Sequence, residues 1–458
     1  MSWNRPADLM RLDPAVIYTM LYRALAIVTG PITVLVIAVS FTPEQQGYYF
    51  TLTAILTMQT LLELGLGTAL QQFASHEWAH LALGGDGSVT GDSQALERLS
   101  SLAKFALRWY ACAGLVAAGG LALGGLYFVG CSSAPVTFVW RGPWLVLAAV
   151  TGASLFLVPG WSILEGCNQV TEVYRYRAIQ GTLVRVLLWA ALLGGAGLWA
   201  LVLERSATVL LSVWFFARRY RVFFRALLSR RSRAPRLWRR EIWPLQWRFA
   251  VVWLSGYLPS LFTPAIFAFQ GAVAAGRLGM TLTLTSSLIA LADPVISARM
   301  PRWAVLIARG RFDELDSQFR QSLRTCLALL AAGSLIFMGI LVWLSAAGRP
   351  LADRFLAPGI TGVFFAAIFF QQARQALGAY LRAHKREPYL ALSIVNAVLT
   401  AGVVFVLGTA YGVTGIATGF LLVAGIVLLP AIVIFRRRRR DWHAIVETSY
   451  RPEVSGRR

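Results

Sequence analysis

The chain has 458 residues, 57% of them hydrophobic and only 14% charged, with a mean hydropathy of +0.61; a soluble chain of this length carries roughly a quarter charged residues. Its net charge of +22 comes from arginines crowded into particular loops, with no soluble segment to present them to a polynucleotide, so topology and not nucleic-acid binding accounts for the charge. A soluble globular enzyme is excluded, and a polytopic all-α membrane protein is implied.

Apolar runs predict twelve transmembrane helices, at roughly 15–41, 47–72, 103–130, 144–167, 176–193, 198–217, 244–270, 277–300, 322–345, 359–382, 389–408 and 413–435. The first run lacks a small-residue cleavage site and is expected to be a retained helix. Asp13-Pro14 supplies its start, an N-cap followed by proline in the first turn. "TPEQQG" at 42–47, "GGAG" at 194–197 and "AYGVTG" at 410–415 predict tight hairpin turns. After the sixth run, "ARRYRVFFRALLSRRSRAPRLWRRE" carries ten arginines. Arg175, Arg177, Arg302, Arg309, Arg311, Arg382, Lys385, Arg386 and the "RRRRR" of 436–440 fall on the same side, against Arg141, Arg277, Arg349 and Arg354 opposite. Positive loops stay cytoplasmic, which predicts both termini inside the cell inner (plasma) membrane. Cys112, Cys131, Cys167 and Cys326 have no metal-type spacing, so no metal site and no disulfide is expected.

The basic segment divides the chain into an N-terminal six-helix bundle (1–217), a cytoplasmic linker (218–243), a C-terminal six-helix bundle (244–435) and a basic tail (436–458). Internal echoes suggest duplication. "YRALAIVTG" around Arg23 resembles "WRFAVVWLSG" around Arg248, Glu63 has a rough counterpart in Asp293, and Glu172 and Tyr174 match Glu387 and Tyr389. Two six-helix halves in one orientation form a parallel pseudo-two-fold repeat, with substrate expected between them.

A charge inside a span costs at least about 2.5–3.5 kcal/mol, so it faces a cavity, a partner or the headgroups. Arg23 lies ten residues after Asp13, about 15 Å of helix rise, and shares a face with Thr19, Ala26 and Gly30. It and Arg248 either line a cavity or snorkel to the headgroup layer, and the sequence leaves both open. In the tenth run Gln371, Gln375, Gly378 and Arg382 form an i, i+4 row beside Arg374 and Gln372. That row suits either a buried hydrogen-bond network or a water-filled cavity, a picture extended by Arg185 and by the Ser393, Asn396, Thr400 row. Gln59, Glu63 and Gly67 share a further row, and Asp293 stands near Ser286 and Ser297. Those carboxylates are expected to neutralise nearby arginines, with proton coupling the alternative. Arginines outnumber carboxylates, and a guanidinium fork matches phosphate oxygens, so a phosphorylated or sugar-bearing solute suits such a cavity better than a cationic drug. "HEWAH" at 76–80 fits the zinc-peptidase pattern, but no third ligand is evident, since His384 and His443 lie in basic segments.

The segments "FTPEQQGYYFTLTAI", "ELGLGTALQQFASHE", "GAGLW" at 195–199 and "MPRWAVLIARGRFDEL" at 300–315 resemble the polysaccharide (Wzx-like, O-antigen) flippases of the multidrug/oligosaccharidyl-lipid/polysaccharide exporter (MOP) superfamily. The resemblance spans almost the whole chain in length, span count and half-repeat, without a catalytic signature. It implies a MATE/MOP-like fold of two six-helix bundles around a cavity of alternating access. Arg23, Arg248, Arg374, Arg185, Gln371, Gln375 and Asn396 would be its substrate-binding residues, with Glu63 and Asp293 for coupling or charge pairing. The implied protein is a non-enzymatic, monomeric flippase of a polyprenyl-diphosphate oligosaccharide. It would need no cofactor, would be coupled to H+, to Na+ or to neither, and would work in membrane lipid alongside polymerase and chain-length proteins. The rival within that superfamily is a multidrug/cation antiporter. A polymerase or glycosyltransferase is disfavoured for want of a large outer loop.

Overall fold

A computed structural model describes residues 14–63, 65–130, 138–229, 256–384 and 388–449, together with Trp238, 241–243 and 246–247. They divide between two compact units whose boundary falls near residue 254, the short segment Gly271–Gly276 going with the first.

The first unit comprises α1 (Pro14–Ser40), α2 (Pro43–Leu56), α3 (Gln59–Glu63), α4 (Leu66–Trp78), α5 (Ser93–Gly130), α6 (Arg141–Leu155), α7 (Val158–Gly166), α8 (Val170–Leu193), α9 (Trp199–Arg219) and α10 (Arg221–Ser229). A two-stranded antiparallel hairpin, β1 (Leu81–Leu83) and β2 (Val89–Gly91), joins α4 to α5. The second unit holds α11 (Phe262–Ala292), α12 (Pro294–Ser297), α13 (Met300–Ala308), α14 (Phe312–Ala346), α15 (Pro358–Ala383), α16 (Leu390–Gly402) and α17 (Gly408–Ser449). Two of these runs hide turns, because Gly271 (φ 84°) interrupts α11 and Gly412 (φ 58°) interrupts α17. Both angles lie in the left-handed region that glycine enters without steric cost.

Among the described residues six helical stretches are long and apolar enough to cross a membrane, and seven if the bent pair formed by α2–α3 and α4 is one crossing. The chain is therefore a multi-pass membrane protein. Helices α8 and α15 have the length but fall short in apolarity. Arg175, Arg177 and Arg185 occupy the first, and Gln371, Gln372, Arg374 and Gln375 the second.

Three expectations change locally. The "TPEQQG" stretch is helix from Pro43 onward: the Gln45 amide donates to Thr42 Oγ1 (3.2 Å) and the Thr42 amide to Gln45 Oε1 (3.1 Å), a reciprocal capping box with proline in the first turn. The "AYGVTG" turn narrows to the single break at Gly412. The arginine-rich linker begins as a docked helix. In α10, Phe223 and Leu227 are buried while Arg221 and Arg225 face out. Ser100 Oγ donates to the Leu227 carbonyl, and Trp238 Nε1 donates to Ser101 Oγ at 2.8 Å. The β-hairpin was not expected from hydropathy. Its turn is closed by Asp86, whose carboxylate accepts from the Ser88 hydroxyl (2.7 Å) and amide (3.0 Å); these bonds hold its pKa below the ordinary range.

Packing in the first unit relies on bare backbone contact between α5 and α6. A side chain added at Gly114 would place its Cβ 2.6 Å from the Gly152 carbonyl, and one at Gly152 would strike the Gly114 carbonyl. Small residues let membrane helices approach in this way. Gly152→Leu is expected to destabilise the first unit by about 1–3 kcal/mol, the usual scale of overpacking. Gly119→Leu, with open space around it, is expected to leave stability unchanged. Thermal unfolding of the two variants in detergent checks the contrast.

Candidate functional site

In the first unit the polar residues gather where α8 and α9 form a hairpin over the 194–197 turn, with Gly195 (φ 78°) and Gly197 (φ 57°) making the reversal. Across it, Arg185 pairs with Glu204 at 3.0 Å, and Arg205 stands close enough to feel both charges. The pair is half-exposed, at 42% for the arginine side chain and 21% for the carboxylate. Buried Tyr49 lies within the field of the same two charges. Helix α1 packs along α8, and Trp189 Nε1 donates to Thr33 Oγ1 at 2.9 Å between them. Arg23 is carried on α1, and its side chain lies outside the described residues, as does the whole of Arg248. Arg185 thus has a carboxylate partner the sequence reading did not assign. Two arginines against one glutamate leave this end of the hairpin with net positive charge.

The two acidic candidates differ in their surroundings. Glu63 is the last residue of α3, and Gly65 beyond it is left-handed (φ 70°), so the span bends by 44° there. That break removes the expected Gln59, Glu63, Gly67 row, because the helix is not continuous across Gly65. The charge of Glu63 is felt at the phenol of Tyr110, which is fully buried on α5 and whose hydroxyl makes no hydrogen bond to that carboxylate. The Gln59 carbonyl oxygen is buried without a hydrogen-bond donor among the described residues. Asp293 sits between α11 and α12, ahead of Pro294, and its backbone carbonyl accepts from the Ser297 amide at 3.0 Å. Its charge reaches buried Cys326 on α14. Glu63 thus marks a bend in its span, whereas Asp293 keeps helical backbone bonds on both sides ahead of a proline that removes one amide donor.

In the second unit α15 presents Gln371 half-buried, Gln372 buried at 1% exposure, Gln375 exposed and Arg374 half-buried. Gln372 Nε2 donates to Cys326 Sγ at 3.5 Å, while its carbonyl oxygen has no donor among the described residues. Arg374 interacts with Tyr389 and is repelled by Arg382. Asn396 on α16 is half-buried and Thr400 buried. A further cluster lay outside the sequence reading: Asp316 on α14 accepts from Tyr380 Oη at 2.8 Å and from Arg439 Nε at 2.9 Å, which ties α14, α15 and α17 together.

The "HEWAH" stretch does not form a metallopeptidase face. Helix α4 ends at Trp78, so His76 and His80 do not share a continuous helix, and both are exposed. Glu77 is 3.7 Å from Arg98, and among the described residues no three His, Cys, Asp or Glu side chains are grouped to hold a metal. Nearby, Arg177 pairs with Glu165 at 2.9 Å and lies over the Trp161 ring at 5.0 Å, a cation satisfied by charge and π face together. Cys112, Cys167 and Cys326 are free thiols.

No protein-family model matches the chain, and no curated protein matches it. Solved structures do. The chain is similar to an inward-facing multidrug resistance MATE family transporter of the MOP superfamily, at 13% identity and TM-score 0.59, covering 95% of this chain and 96% of that one. It is similar to the lipid II flippase MurJ in an inward closed conformation, at 11% identity and TM-score 0.64, covering 97% and 93%. It is also similar to the MATE multidrug transporter DinF-BH, at 15% identity and TM-score 0.58, covering 93% and 94%. The fold is the all-α, polytopic MOP type.

The Arg185–Glu204 pair makes a direct test of how charge is accommodated in the first unit. Arg185→Gln and Glu204→Gln are each expected to lower stability. A double-mutant cycle is expected to give a coupling of roughly 0.5–3 kcal/mol, the range for residues in contact. Unfolding of the two single variants and the double variant in detergent measures it.

Proposed function

We propose that the chain is a flippase for a lipid-linked oligosaccharide. It would accept the diphosphate-bearing headgroup in a hydrated, cationic chamber and move it across the membrane by alternating access, while the polyprenyl tail stays in lipid. The observation that supports this reading is the sign of the charge inside the spans. Arg185 and Arg205 face a single glutamate on the α8–α9 hairpin, and α15 carries Arg374 among three glutamines. Guanidinium donors and amides recognise phosphate oxygens and sugar hydroxyls. Bare hydroxyls and amides entering hydrocarbon cost on the order of 4–8 kcal/mol each, so such a headgroup requires a polar path. An inside-negative potential adds about 2.3 kcal/mol per exported charge per 100 mV, which favours outward movement of an anion. The lipid II flippase MurJ shares the fold. In this proposal Arg23, Arg248, Arg374, Arg185, Gln371, Gln375 and Asn396 serve the headgroup.

A multidrug/cation antiporter is the second reading, and Glu63 favours it. That carboxylate lies at a helix break beside Tyr110 and has no ion-pair partner among the described residues. An antiporter would depend on Glu63 and Asp293 and tolerate loss of the arginines.

The discriminating experiment compares Arg23→Ala with Arg248→Ala, combined in one chain, against Glu63→Gln with Asp293→Asn, in a strain lacking the native gene. The flippase reading expects the arginine variant to insert normally, lose surface polysaccharide and accumulate lipid-linked precursor on the cytoplasmic leaflet. Full export by the arginine variant, with drug resistance lost in the carboxylate variant, would overturn it.

A further inference from the structure

The second unit contains a cavity that the transport proposal does not use. It has a volume of about 320 Å3 and lies among α14, α15 and α17. Its walls are apolar: Phe319 and Leu323 come from α14, Leu377 from α15, and Leu428 and Ile432 from α17. Its mouth carries Arg320, Arg436 and Arg439. A pocket this size is at the small end of the range of about 300–1,000 Å3 typical of ligand sites.

The depth of the cavity follows from the sequence on either side. Helix α14 opens with "FDELDSQFRQSLRT", in which Arg324 follows Arg320 by one turn, and becomes apolar after it, while α17 is apolar up to Phe435 and then runs into five consecutive arginines. Arg320 and Arg436 therefore stand at one level, where hydrocarbon gives way to headgroups, and the apolar walls extend inward from it. The charges at the mouth do not cancel. The lining's one carboxylate, Asp316, is engaged by Arg439 Nε at 2.9 Å and by Tyr380 Oη at 2.8 Å. That bond also fixes the Arg439 guanidinium at the edge of the cavity, where its side chain stays 39% exposed. Arg320 and Arg436 are exposed beside it. Three guanidinium groups against one carboxylate leave a surplus of positive charge directly over an apolar slot.

We propose that this cavity binds an anionic phospholipid of the surrounding bilayer. Part of an acyl chain lies against Phe319, Leu323 and Leu428, and the headgroup phosphate is held by Arg320 and Arg436, with Arg439 pre-positioned by Asp316. Neither half of that ligand suffices alone. A zwitterionic lipid brings a compensating cation to an already positive mouth, and a free phosphate leaves the apolar walls unfilled. Arginine suits the role because its planar fork presents paired donors to phosphate oxygens. The site is separate from the polar residues of α8, α9 and α15 assigned to headgroup transport, so its test does not depend on that assignment.

Native mass spectrometry of the full chain in a neutral detergent tests the site, with dioleoyl phosphatidylglycerol, dioleoyl phosphatidylcholine and inorganic phosphate added separately. The expected result is a one-lipid adduct that forms preferentially with phosphatidylglycerol, with no comparable adduct or thermal stabilisation from phosphate. Arg320→Gln with Arg436→Gln is expected to cut that preference roughly a hundredfold, about tenfold for each charge-assisted hydrogen bond lost. Ala373→Phe, which fills the cavity and keeps every arginine, is expected to remove the adduct. Should that variant fail to fold, the arginine pair still decides, because both side chains are exposed. Equal binding of the two lipids, an arginine variant that keeps the preference, or stabilisation by phosphate equal to that by lipid would each overturn the proposal.

Discussion

A guanidinium group inside a membrane protein must meet a carboxylate, a wet surface or the headgroup layer, and much of this chain's architecture is a set of answers to that requirement. Arg185 meets Glu204 across a glycine-rich reversal, Arg177 meets Glu165 across the short turn between α7 and α8, and Arg439 meets Asp316 across three helices. The first two pairs each join consecutive helices. In the α8–α9 hairpin Arg185 and Glu204 lie at similar distances from the turn and so come into register; in the α7–α8 connection Glu165, next to the end of α7, is reached by Arg177 two turns into α8. Because each pair retains some exposure, the acid and the base can both stay ionised without the full desolvation penalty of a dry interior.

That logic explains which parts of the architecture were legible beforehand. Long apolar runs announce membrane helices because the bilayer leaves the backbone no other way to satisfy its hydrogen bonds, and among the described residues six of the helical stretches, or seven with the bent pair, are long and apolar enough to cross. The Arg185–Glu204 pair was legible in principle. The two residues flank "GGAG" at similar distances, but a span-by-span tally of charge does not fold the hairpin on itself. The Asp316–Arg439 pair was not legible, since 123 residues separate its members and no local rule connects them. In "TPEQQG" the proline and glycine signal a turn, and the overlapping threonine–proline–glutamate–glutamine signal starts a helix; the capping box won because it satisfies two orphan backbone donors at once. The β-hairpin was hidden for a different reason. Its strands are three residues each, too short to show a period, and the Asp86–Ser88 turn that closes it is a matter of side-chain bonding and not of hydropathy.

The basic linker shows charge and packing at work in one segment. Its arginines place it on one side of the membrane, and the same residues alternate with Phe223 and Leu227, which are buried against the first unit. A purely electrostatic tether would not need aromatic contacts such as Phe73 with Trp238 (5.7 Å between ring centroids) and Trp78 with Phe223 (6.1 Å). The segment following α9 is thus held to the first unit by buried apolar surface, while Arg221 and Arg225, the arginines of α10, stay outward. An arginine-rich stretch in a membrane protein can set topology and also form part of the folded body, because the aliphatic and aromatic residues between the charges remain available for packing.

Two acidic residues stand where the regular helical pattern of a span is disturbed. Glu63 ends α3 before the left-handed Gly65, and Asp293 stands between α11 and α12 ahead of Pro294. In a continuous helix the backbone carbonyls and amides at these positions would be consumed by neighbours one turn away. At the left-handed Gly65 that pattern is broken, whereas Asp293 keeps it, its amide donating to the Ile289 carbonyl at 2.8 Å and its carbonyl accepting from the Ser297 amide at 3.0 Å; irregular backbone at membrane depth is tolerated only where protein or water satisfies it. An acidic side chain beside such a break, as Glu63 is, therefore has dipolar backbone groups available that an unbroken span cannot supply. The two places differ in local geometry: the chain bends by 44° beside Glu63, while the backbone runs on helically through Asp293. Glycine permits the left-handed turn beside Glu63, and proline removes one amide donor after Asp293.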